Sequence, residues 1–373
     1  MLGLMALHVG RAADAPLPND VLTVAKIPRD DTHRVYVVDF DLPHIIDGRT
    51  YVYNGDTGKM LGMLSTGFAG QFTMSPSRKN GYVATTYYDR LFHGNRADVV
   101  DVYDMQTLGW QHEITIPTKH AEAAPYPGLI ATSTDGKYLF VQNATPSQSI
   151  TLVDLTQNKF IAELGAAGCW TVWPSPKQAN KVSSVCGDGT ILTLTFDPAG
   201  KILTRQRSAQ IFDPATDPMF VQGADTGSKV VFITFDGVVH VVDISGDVAK
   251  AEPGWQVTPP ADQAHHWRPG GYQMLAFHKK TGRLFVAMHK NGQEGSHKWP
   301  ADEIWVIDLA SHKILQRVPG MGVISLTVTQ DDAAKLYGLT ATGDLVTFNA
   351  GGRVSFATTV PHVAESGTEL VTR

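Results

Sequence analysis

The sequence predicts an all-β fold, specifically a seven-bladed β-propeller of four-stranded blades. A short motif recurs seven times, in which apolar residues alternate, an Asp or Asn ends the run, and a second extended stretch follows. A turn and a β-rich strand precede each copy, and one more apolar strand precedes each of the last six. Four strands repeated at this spacing are typical of propeller blades. A pair of β-sandwiches is the alternative, but it does not explain the sevenfold count.

The repeated motif is clear at residues 303–315, EIWVIDLASHKIL. Alternation with a period of two predicts a strand that is buried on one face. The Asp or Asn suits the turn because its side chain can bond the backbone two residues further on. We predict such turns at Asn54, Asp104, Asp154, Asp197, Asp243, Asp308 and Asn349.

The innermost strand of a unit should be the apolar stretch that opens it. For the last six units these stretches are GQFTMS (70–75), GLIATS (128–133), CWTVWP (169–174), PMFVQG (218–223), QMLAFH (273–278) and ISLTVT (324–329). The first unit must take its innermost strand from one terminus. VLTVAKI (21–27) and TELVTR (368–373) are both candidates, and the sequence alone does not separate them.

The N-terminal residues 1–18, MLGLMALHVGRAADAPLP, place a short apolar run before small residues. This resembles the end of a secretory signal with a cleavage region near residues 12–15, which predicts an exported protein. A mildly apolar tail is the alternative. We therefore divide the chain into a residual signal or disordered segment (1–20) and a single propeller domain (21–373). No other apolar run approaches the ~20 residues of a membrane span.

The two cysteines, Cys169 and Cys186, flank a strong turn signal, PSPKQAN at 174–180. A hairpin folded at this turn places the two cysteines opposite each other. A cross-strand disulfide is then geometrically reasonable and fits an exported protein. Two buried free thiols are the alternative.

Composition and motifs argue against several functions. The 373 residues are 43% hydrophobic and 18% charged, with a net charge of −5 and no basic tract, so nucleic acid and anionic membranes are poor candidate partners. No H-E-x-x-H, G-x-S-x-G, G-x-G-x-x-G or Walker-type loop is present. The pair His265–His266 suits a surface or capping position better than a metal site. We predict no catalytic residue and no metal ligand in this chain.

Five long connections should all lie on one face, because they join second to third strands or successive units. They are residues 39–49, 87–98, 117–128, 252–271 and 289–302. These connections are rich in aromatic residues, which are enriched at protein interfaces and pockets. The alternative is that the aromatic residues cover the ends of the propeller's own core.

The chain resembles the heavy subunit of the quinoprotein amine dehydrogenases, and is more similar to the aromatic amine branch than to the methylamine branch. The resemblance spans nearly all of residues 20–370 and includes the cysteine hairpin. Its most specific stretches are LTVAKIPRDDTHRVYVVDF (22–40), DGRTYVYNGDTGKMLGMLSTGFAGQFT (47–73), YVATTYYDRLFHGNRADVVDVYD (82–104), WRPGGYQ (267–273) and GSHKWPADEIWVID (295–308).

The resemblance implies a periplasmic assembly of two heavy and two light subunits that oxidatively deaminates primary, aromatic amines to aldehyde and ammonia. The catalytic base and the tryptophan tryptophylquinone cofactor belong to the light subunit, and electrons pass to a blue copper protein such as azurin or amicyanin. The heavy subunit shapes the substrate channel, where the methylamine branch offers a Phe. The nearby bulky residues here are Phe40, Leu42 and Ile45. The implied partner-binding residues are Tyr87, Tyr88, Arg96, Trp267, Tyr272, His297 and Trp299.

Two other functions compete with this one. A free-standing periplasmic propeller could act as a binding module without a light subunit. A propeller hydrolase could hold a metal in the central channel, but it needs inward acidic residues, and the predicted inner strands show almost none.

Overall fold

The computed structural model describes residues 23–28 and 31–372, and this part of the chain is almost entirely β-structure. The first strands are β1 Arg34–Asp39, β2 Gly48–Asn54, β3 Met60–Met74, β4 Asn80–Arg90, β5 His93–Asp104 and β6 Trp110–Ile116. They are followed by β7 Ile130–Thr132, β8 Tyr138–Asn143, β9 Ser149–Asp154, β10 Lys159–Gly165, β11 Cys169–Pro174, β12 Lys181–Cys186, β13 Ile191–Phe196 and β14 Ile202–Arg207.

The second half of the described chain continues the same pattern with shorter strands. These are β15 Ala224–Asp225, β16 Val230–Ile233, β17 Val238–Asp243, β18 Lys250–Ala251, β19 Trp255–Gln256, β20 Arg268–Pro269, β21 Leu275–His278, β22 Arg283–His289, β23 Glu303–Asp308, β24 Lys313–Pro319, β25 Val323–Val328, β26 Lys335–Thr340, β27 Leu345–Asn349, β28 Ser355–Val360 and β29 Gly367–Thr372. The helical elements of the described chain are short: α1 Pro260–Gln263 and the 3-10 segments Leu42–Asp47 and Ser296–Lys298.

Strands that are consecutive in sequence pair antiparallel, so the chain builds one small sheet after another. The orders are β7 to β10, β11 to β14, β15 to β18, β20 to β24 and β25 to β28, with β19 and β21 pairing at the edges of their sheets. The first sheet runs β29-β1-β2-β3-β4-β5-β6 because β3 is long enough to serve two partners. Its first half, as far as Gly67, pairs with β2, and its second half, from Phe68, pairs with β4. The all-β prediction and its four-stranded units are confirmed.

Burial differs from the prediction in the middle strands. The alternating pattern at 303–308 predicts burial on one face, yet Ile304, Trp305, Val306 and Ile307 are all buried. The sheets pack against neighbours on both faces, so side chains are half-exposed or exposed mainly in the outermost strands. In β28, for example, every residue but the last is exposed. Alternating sequence therefore reflects side chains that point into two different sheet-to-sheet cores.

The predicted Asx turns form at most of the predicted positions. The side-chain oxygen of Asn54 accepts from the backbone N–H of Asp56 at 3.1 Å, and equivalent bonds two residues on occur at Asp104, Asp154, Asp197 and Asp243. At Asp308 the acceptor instead receives the N–H of Ser311, three residues on. Asn349 differs, because its side-chain oxygen accepts from Lys335 Nζ at 2.7 Å.

A central cavity of about 490 Å³ is lined by strands from all parts of the chain. The lining segments belong to β3, β7, β11, β15, β21, β25 and β29. Five of the six predicted inner strands match these elements. The prediction of residues 218–223 is wrong: Met219 forms only an isolated bridge to Thr234, and the strand β15 follows at Ala224–Asp225.

The C-terminal candidate supplies the innermost strand of the first unit. β29 pairs antiparallel with β1, from Val35 opposite Thr372 to Asp39 opposite Gly367. The described part of the N-terminal candidate, from residue 23 to Ile27, contains no strand, although the Ile27 N–H bonds the Gln106 carbonyl at 2.8 Å. One sheet thus joins the two ends of the described chain.

The predicted disulfide is confirmed. Cys169 and Cys186 are direct partners in the β11–β12 register and are bonded to each other, at a sequence separation of 17. The pair closes the hairpin that carries the predicted turn at 174–180, and it lies in the buried core with Val172 and Leu192.

The proposed signal segment and cleavage region, residues 1–20, lie outside the described residues. Among residues 23–28 and 31–372 there is no helix of the length and apolarity that a membrane span requires.

Candidate partner and substrate surface

Four of the five long connections contact one another in two groups. In the first group, the β4–β5 hairpin reaches the 117–128 connection, where Arg96 Nη1 lies 3.1 Å from Glu122 Oε1. In the second group, the 289–302 connection binds the 252–271 connection. There the backbone N–H of Asn291 donates to the His265 carbonyl, and Gly271 N–H donates to the His297 carbonyl at 3.0 Å. The clustering follows from antiparallel pairing, which brings alternate connections to the same end of each sheet.

Residues 87–98, predicted as a connection between two strands, form a projecting β-ribbon that continues those strands. β4 and β5 stay paired from Asn80 opposite Asp104 as far as Arg90 opposite His93. Leu91, with φ 66°, makes the tight reversal at the tip. The tip is apolar and open to solvent: Leu91 is 72% exposed and Phe92 is 68% exposed.

The base of this ribbon is fixed by a charged group of residues around Asp98. Asp98 is fully buried and accepts two bonds of 2.7 Å from the Arg96 guanidinium. It also accepts from Thr86 Oγ1 at 2.9 Å and from the His120 backbone N–H at 2.8 Å. The hydrogen bond to Asp98 raises the pKa of Arg96, so the cation is permanent. A bidentate pair of this kind sets the direction of the guanidinium as well as its charge.

Two tyrosines and one histidine surround that group. Tyr87 donates its hydroxyl to Asp101 at 2.6 Å, and burial together with this bond raises the pKa of Tyr87. Tyr88 packs edge-on against Phe68, with ring centroids 5.9 Å apart. His120 is buried, and neither of its ring nitrogens has a hydrogen-bond partner among the described residues. Burial lowers the pKa of His120 to about 4, so it is neutral at pH 7.

The second group of connections places its predicted residues at different depths. Trp267 is only 5% exposed and packs against Trp305, with ring centroids 5.3 Å apart, so its main contacts are with the protein's own core. Trp299 is 39% exposed and tilts against His289. His297 is exposed beside it. The aromatic residues of this region therefore divide into a core member and surface members, which sequence alone does not distinguish.

Tyr272 is positioned by the glycine pair before it. Gly271 has φ 119°, and a Cβ added there would lie 2.3 Å from the Ile324 carbonyl oxygen. This close approach lets the Tyr272 N–H donate to the same carbonyl at 2.7 Å. The half-buried ring then receives Lys298 Nζ at 5.0 Å from its centroid, a favourable cation–π geometry.

The 39–49 connection carries the three predicted channel residues. Phe40 is buried at the end of β1, Leu42 is exposed, and Ile45 is half-buried in the 3-10 segment. The segment is anchored by Asp39, whose carboxylate accepts from the backbone N–H groups of Asp41, Glu365 and Ser366. Their roles toward a substrate stay predictions, but Leu42 is the member that projects furthest into solvent.

Two acidic residues of the inner strands were not among the predicted site residues. Identifying β29 as an inner strand adds Glu369 to the central cavity, and β15 adds Asp225. The Glu in TELVTR was visible in the sequence, but it becomes an inward residue only once the C-terminal segment is chosen. Among residues 23–28 and 31–372, no group of three or more His, Cys, Asp or Glu side chains could hold a metal ion.

Solved structures with similar architecture establish the fold class. The chain aligns with the Cps50 (Swd1) β-propeller domain from Myceliophteria thermophila at a TM-score of 0.54 and 11% identity, covering 85% of this chain and 96% of that one. It also aligns with the dihydro-heme d1 dehydrogenase NirN at a TM-score of 0.55 and 16% identity, covering 94% of this chain and 77% of that one. The protein has a β-propeller-like fold, and these likenesses say nothing more specific.

Sequence relatives define the family. The family model of the methylamine dehydrogenase heavy chain matches residues 31–364, so this chain belongs to that family. The heavy chain of Methylophilus methylotrophus is 28% identical over 335 residues, which cover 89% of this chain and 81% of the relative. The heavy chain of Methylobacillus flagellatus is 27% identical over 356 residues, covering 91% and 88%. The predicted resemblance to quinoprotein amine dehydrogenase heavy subunits is confirmed.

Proposed function

We propose that this chain is the heavy subunit of a periplasmic amine dehydrogenase that deaminates primary, aromatic amines. Residues 21–373 form one domain, a ring of seven four-stranded blades that β29 closes. The light subunit carries the tryptophan tryptophylquinone cofactor, and the assembly contains two heavy and two light chains. A blue copper protein such as azurin or amicyanin accepts the electrons. The family match over residues 31–364 carries this proposal.

The surface geometry supports a docking role for the face that bears the long connections. The exposed ribbon tip at Leu91 and Phe92 and the exposed Trp299 lie in these connections, and a lone soluble chain gains little from exposed apolar groups of this size. Tyr87, Tyr88, Arg96, Tyr272, His297 and Trp299 serve assembly. Trp267 packs against Trp305 in the core, so its part in assembly is indirect.

The 39–49 connection supports the substrate channel in this proposal. Phe40, Leu42 and Ile45 supply apolar surface that excludes water from the amine and orients it toward the partner's site. The cofactor, when present on the light subunit, supplies the oxidising quinone. This chain's own residues contribute shape and desolvation.

The test is to express the chain together with the light-subunit gene from the same genome and to purify the complex by a tag on this chain. We expect equal numbers of heavy and light chains, quinone staining confined to the light chain, and dye reduction that depends on an aromatic amine. The chain purified alone should give no turnover. Turnover by the isolated chain would contradict the proposal, and a chain that binds no light subunit would be a stand-alone binding module.

A further inference from the structure

Glu369 is a buried acid that faces the central cavity. Its residue is 6% exposed and lines the 490 Å³ space enclosed by the inner strands. Within the described residues, its carboxyl group makes no hydrogen bond and no ion pair. A buried carboxyl without a protein partner is costly, because only the contents of the cavity can compensate its charged form.

The strand around Glu369 is firmly held, so the unpaired carboxyl is not a consequence of a loose segment. Gln273 bonds both backbone groups of Leu370, accepting its N–H at 2.8 Å and donating to its carbonyl at 3.1 Å. On the other side, Thr368 accepts at its carbonyl from Ser325 Oγ at 2.6 Å and donates its hydroxyl to the Pro125 carbonyl at 2.7 Å. Two side chains from other segments and one backbone carbonyl thus hold β29 in place and leave the carboxyl free for a ligand.

Burial is the physical cause of the acid's altered titration. It raises the pKa of Glu369 to about 8, and no charged neighbour contributes. The cavity's charged lining residues are engaged elsewhere: Lys279 pairs with Asp225 at 2.7 Å, Lys229 pairs with Glu252, and Arg78 also has a partner. The strands packed against β29 add only groups with their own partners, namely Arg34 and Asp39 on β1 and Lys335 and Tyr337 on β26.

The walls of the cavity suit an organic ligand better than a metal ion. One carboxylate cannot satisfy Ca²⁺, which takes six to eight oxygen ligands. The lining is instead a mixture of apolar and hydroxyl groups that includes Phe72, Trp173, Leu275, Thr73 and Thr327. Aromatic rings attract cations at their faces, and a volume of this size is in the range that holds small molecules.

We propose that the central cavity binds a small organic ammonium ion, with the Glu369 carboxylate as its counter-ion. Nothing in this inference depends on the light subunit. The ligand-free acid is mostly protonated at pH 7. When the cation binds, the carboxyl proton leaves to the buffer and the carboxylate pairs with the ammonium group, so charge and protons balance. An acid with a pKa of about 8 should release roughly 0.9 proton per ligand at pH 7.

Isothermal titration calorimetry of the isolated chain tests this directly. Choline is a suitable probe because its charge does not change with pH, and dimethylbutanol is its neutral carbon isostere. We expect saturable 1:1 binding of choline, at least tenfold weaker binding of the isostere, and loss of choline affinity of tenfold or more in Glu369→Gln. Asp225→Asn, at the cavity lining but paired with Lys279, should change the affinity less than threefold.

The proton release gives a second measurement that needs no variant. Titrations in two buffers of different ionisation enthalpy should report the release at pH 7, and the release should vanish at about pH 10, where Glu369 is already ionised. No saturable binding by the wild-type chain would overturn the proposal. Equal affinity for choline and its isostere, or binding without proton release at pH 7, would overturn it as well.

Discussion

The Nε2 atom of His33 lies 2.9 Å from a carboxylate oxygen of Asp331, a residue 298 positions later in the chain. The other ring nitrogen, Nδ1, lies 2.7 Å from Asp56. This imidazole therefore links the turn before β1, the β2–β3 turn and the β25–β26 turn. It stands beside the sheet in which β29 joins β1, so the start of the described chain is tied both to β29 and to the β25–β26 turn.

We expect His33→Ala to destabilise the chain by about 2 kcal/mol, because two carboxylates lose a hydrogen-bond partner in a half-buried site. Urea unfolding followed by fluorescence measures this change. Asp332→Asn, which removes an exposed carboxylate beside Asp331 that pairs with Lys280, should change the stability by less than about 0.5 kcal/mol. Equal effects of the two substitutions would contradict a structural role for the His33 contacts.

The same site predicts a loss of stability in acid. Burial would raise the pKa of Asp331, but the hydrogen bond from Thr329 and the proximity of His33 outweigh burial and hold that pKa below its ordinary value of 3.8. A depressed pKa contributes stability above the unfolded value, and this contribution is lost as the pH falls through the folded value. Between about pH 5 and about pH 3, wild type should lose more stability than Asp331→Asn. Parallel pH profiles for the two proteins would contradict the prediction.

The fold could be predicted because its signals are local and repeated. Period-two alternation and a turn-forming Asp or Asn recur in each unit, and both depend on residues close in sequence. The sequence could not show which terminus supplies the innermost strand of the first unit, because the pairing of β29 with β1 is a contact between residues far apart in the chain. Glu369 was missed for the same reason. Trp267 and Trp299 look alike in sequence, and only the packing of Trp267 against Trp305 separates core from surface.

Because Cys169 and Cys186 are bonded to each other, neither should react as a free thiol. Titration of the unfolded, unreduced protein should find no free thiol, whereas two per chain would contradict the bond. Replacing both cysteines by Ala should cost on the order of 3 kcal/mol, because the loop of 17 positions would no longer be closed in the unfolded state.

Arg96→Met should destabilise the base of the ribbon by about 3 kcal/mol, because the fully buried Asp98 would lose the cation that pairs with it. Chemical unfolding of the isolated chain measures the loss. Arg90→Met, near the exposed tip of the same ribbon, is the matched control and should have almost no effect. If both variants were as stable as wild type, the Arg96–Asp98 pair would not anchor the ribbon.

Trp299→Ala should weaken association with the light subunit by about 2 kcal/mol, roughly thirtyfold in Kd, if it is an interface hot spot. Biolayer interferometry against the purified light subunit measures this. Phe356→Ala is the matched control: Phe356 is a 52% exposed aromatic residue on β28, beside the β27–β28 turn at the opposite end of the sheets. If Phe356→Ala weakened association more than Trp299→Ala, the light subunit would dock on the opposite end of the sheets from the one proposed.

Trp267→Ala should instead lower the stability of the isolated chain by about 3 kcal/mol or more, as expected for a buried Trp.

The 39–49 connection gives the final prediction, which concerns the choice of amine. Leu42 is exposed on the 3-10 segment and Phe40 is buried at its entry, so the two substitutions should act differently. Leu42→Ala removes apolar surface without disturbing the core, and we expect it to change the ratio of kcat/KM between an aromatic and a short aliphatic amine by roughly tenfold, the scale of a one- or two-methylene change in a pocket. Phe40→Ala should also change this ratio but at a cost of about 3 kcal/mol in stability, because it leaves a cavity beside β1.

Steady-state kinetics of the assembled complex with both amines measures the ratio. As a control, the affinity of Leu42→Ala for the light subunit should stay within threefold of wild type. An unchanged amine ratio in both variants would show that this connection lies away from the substrate path.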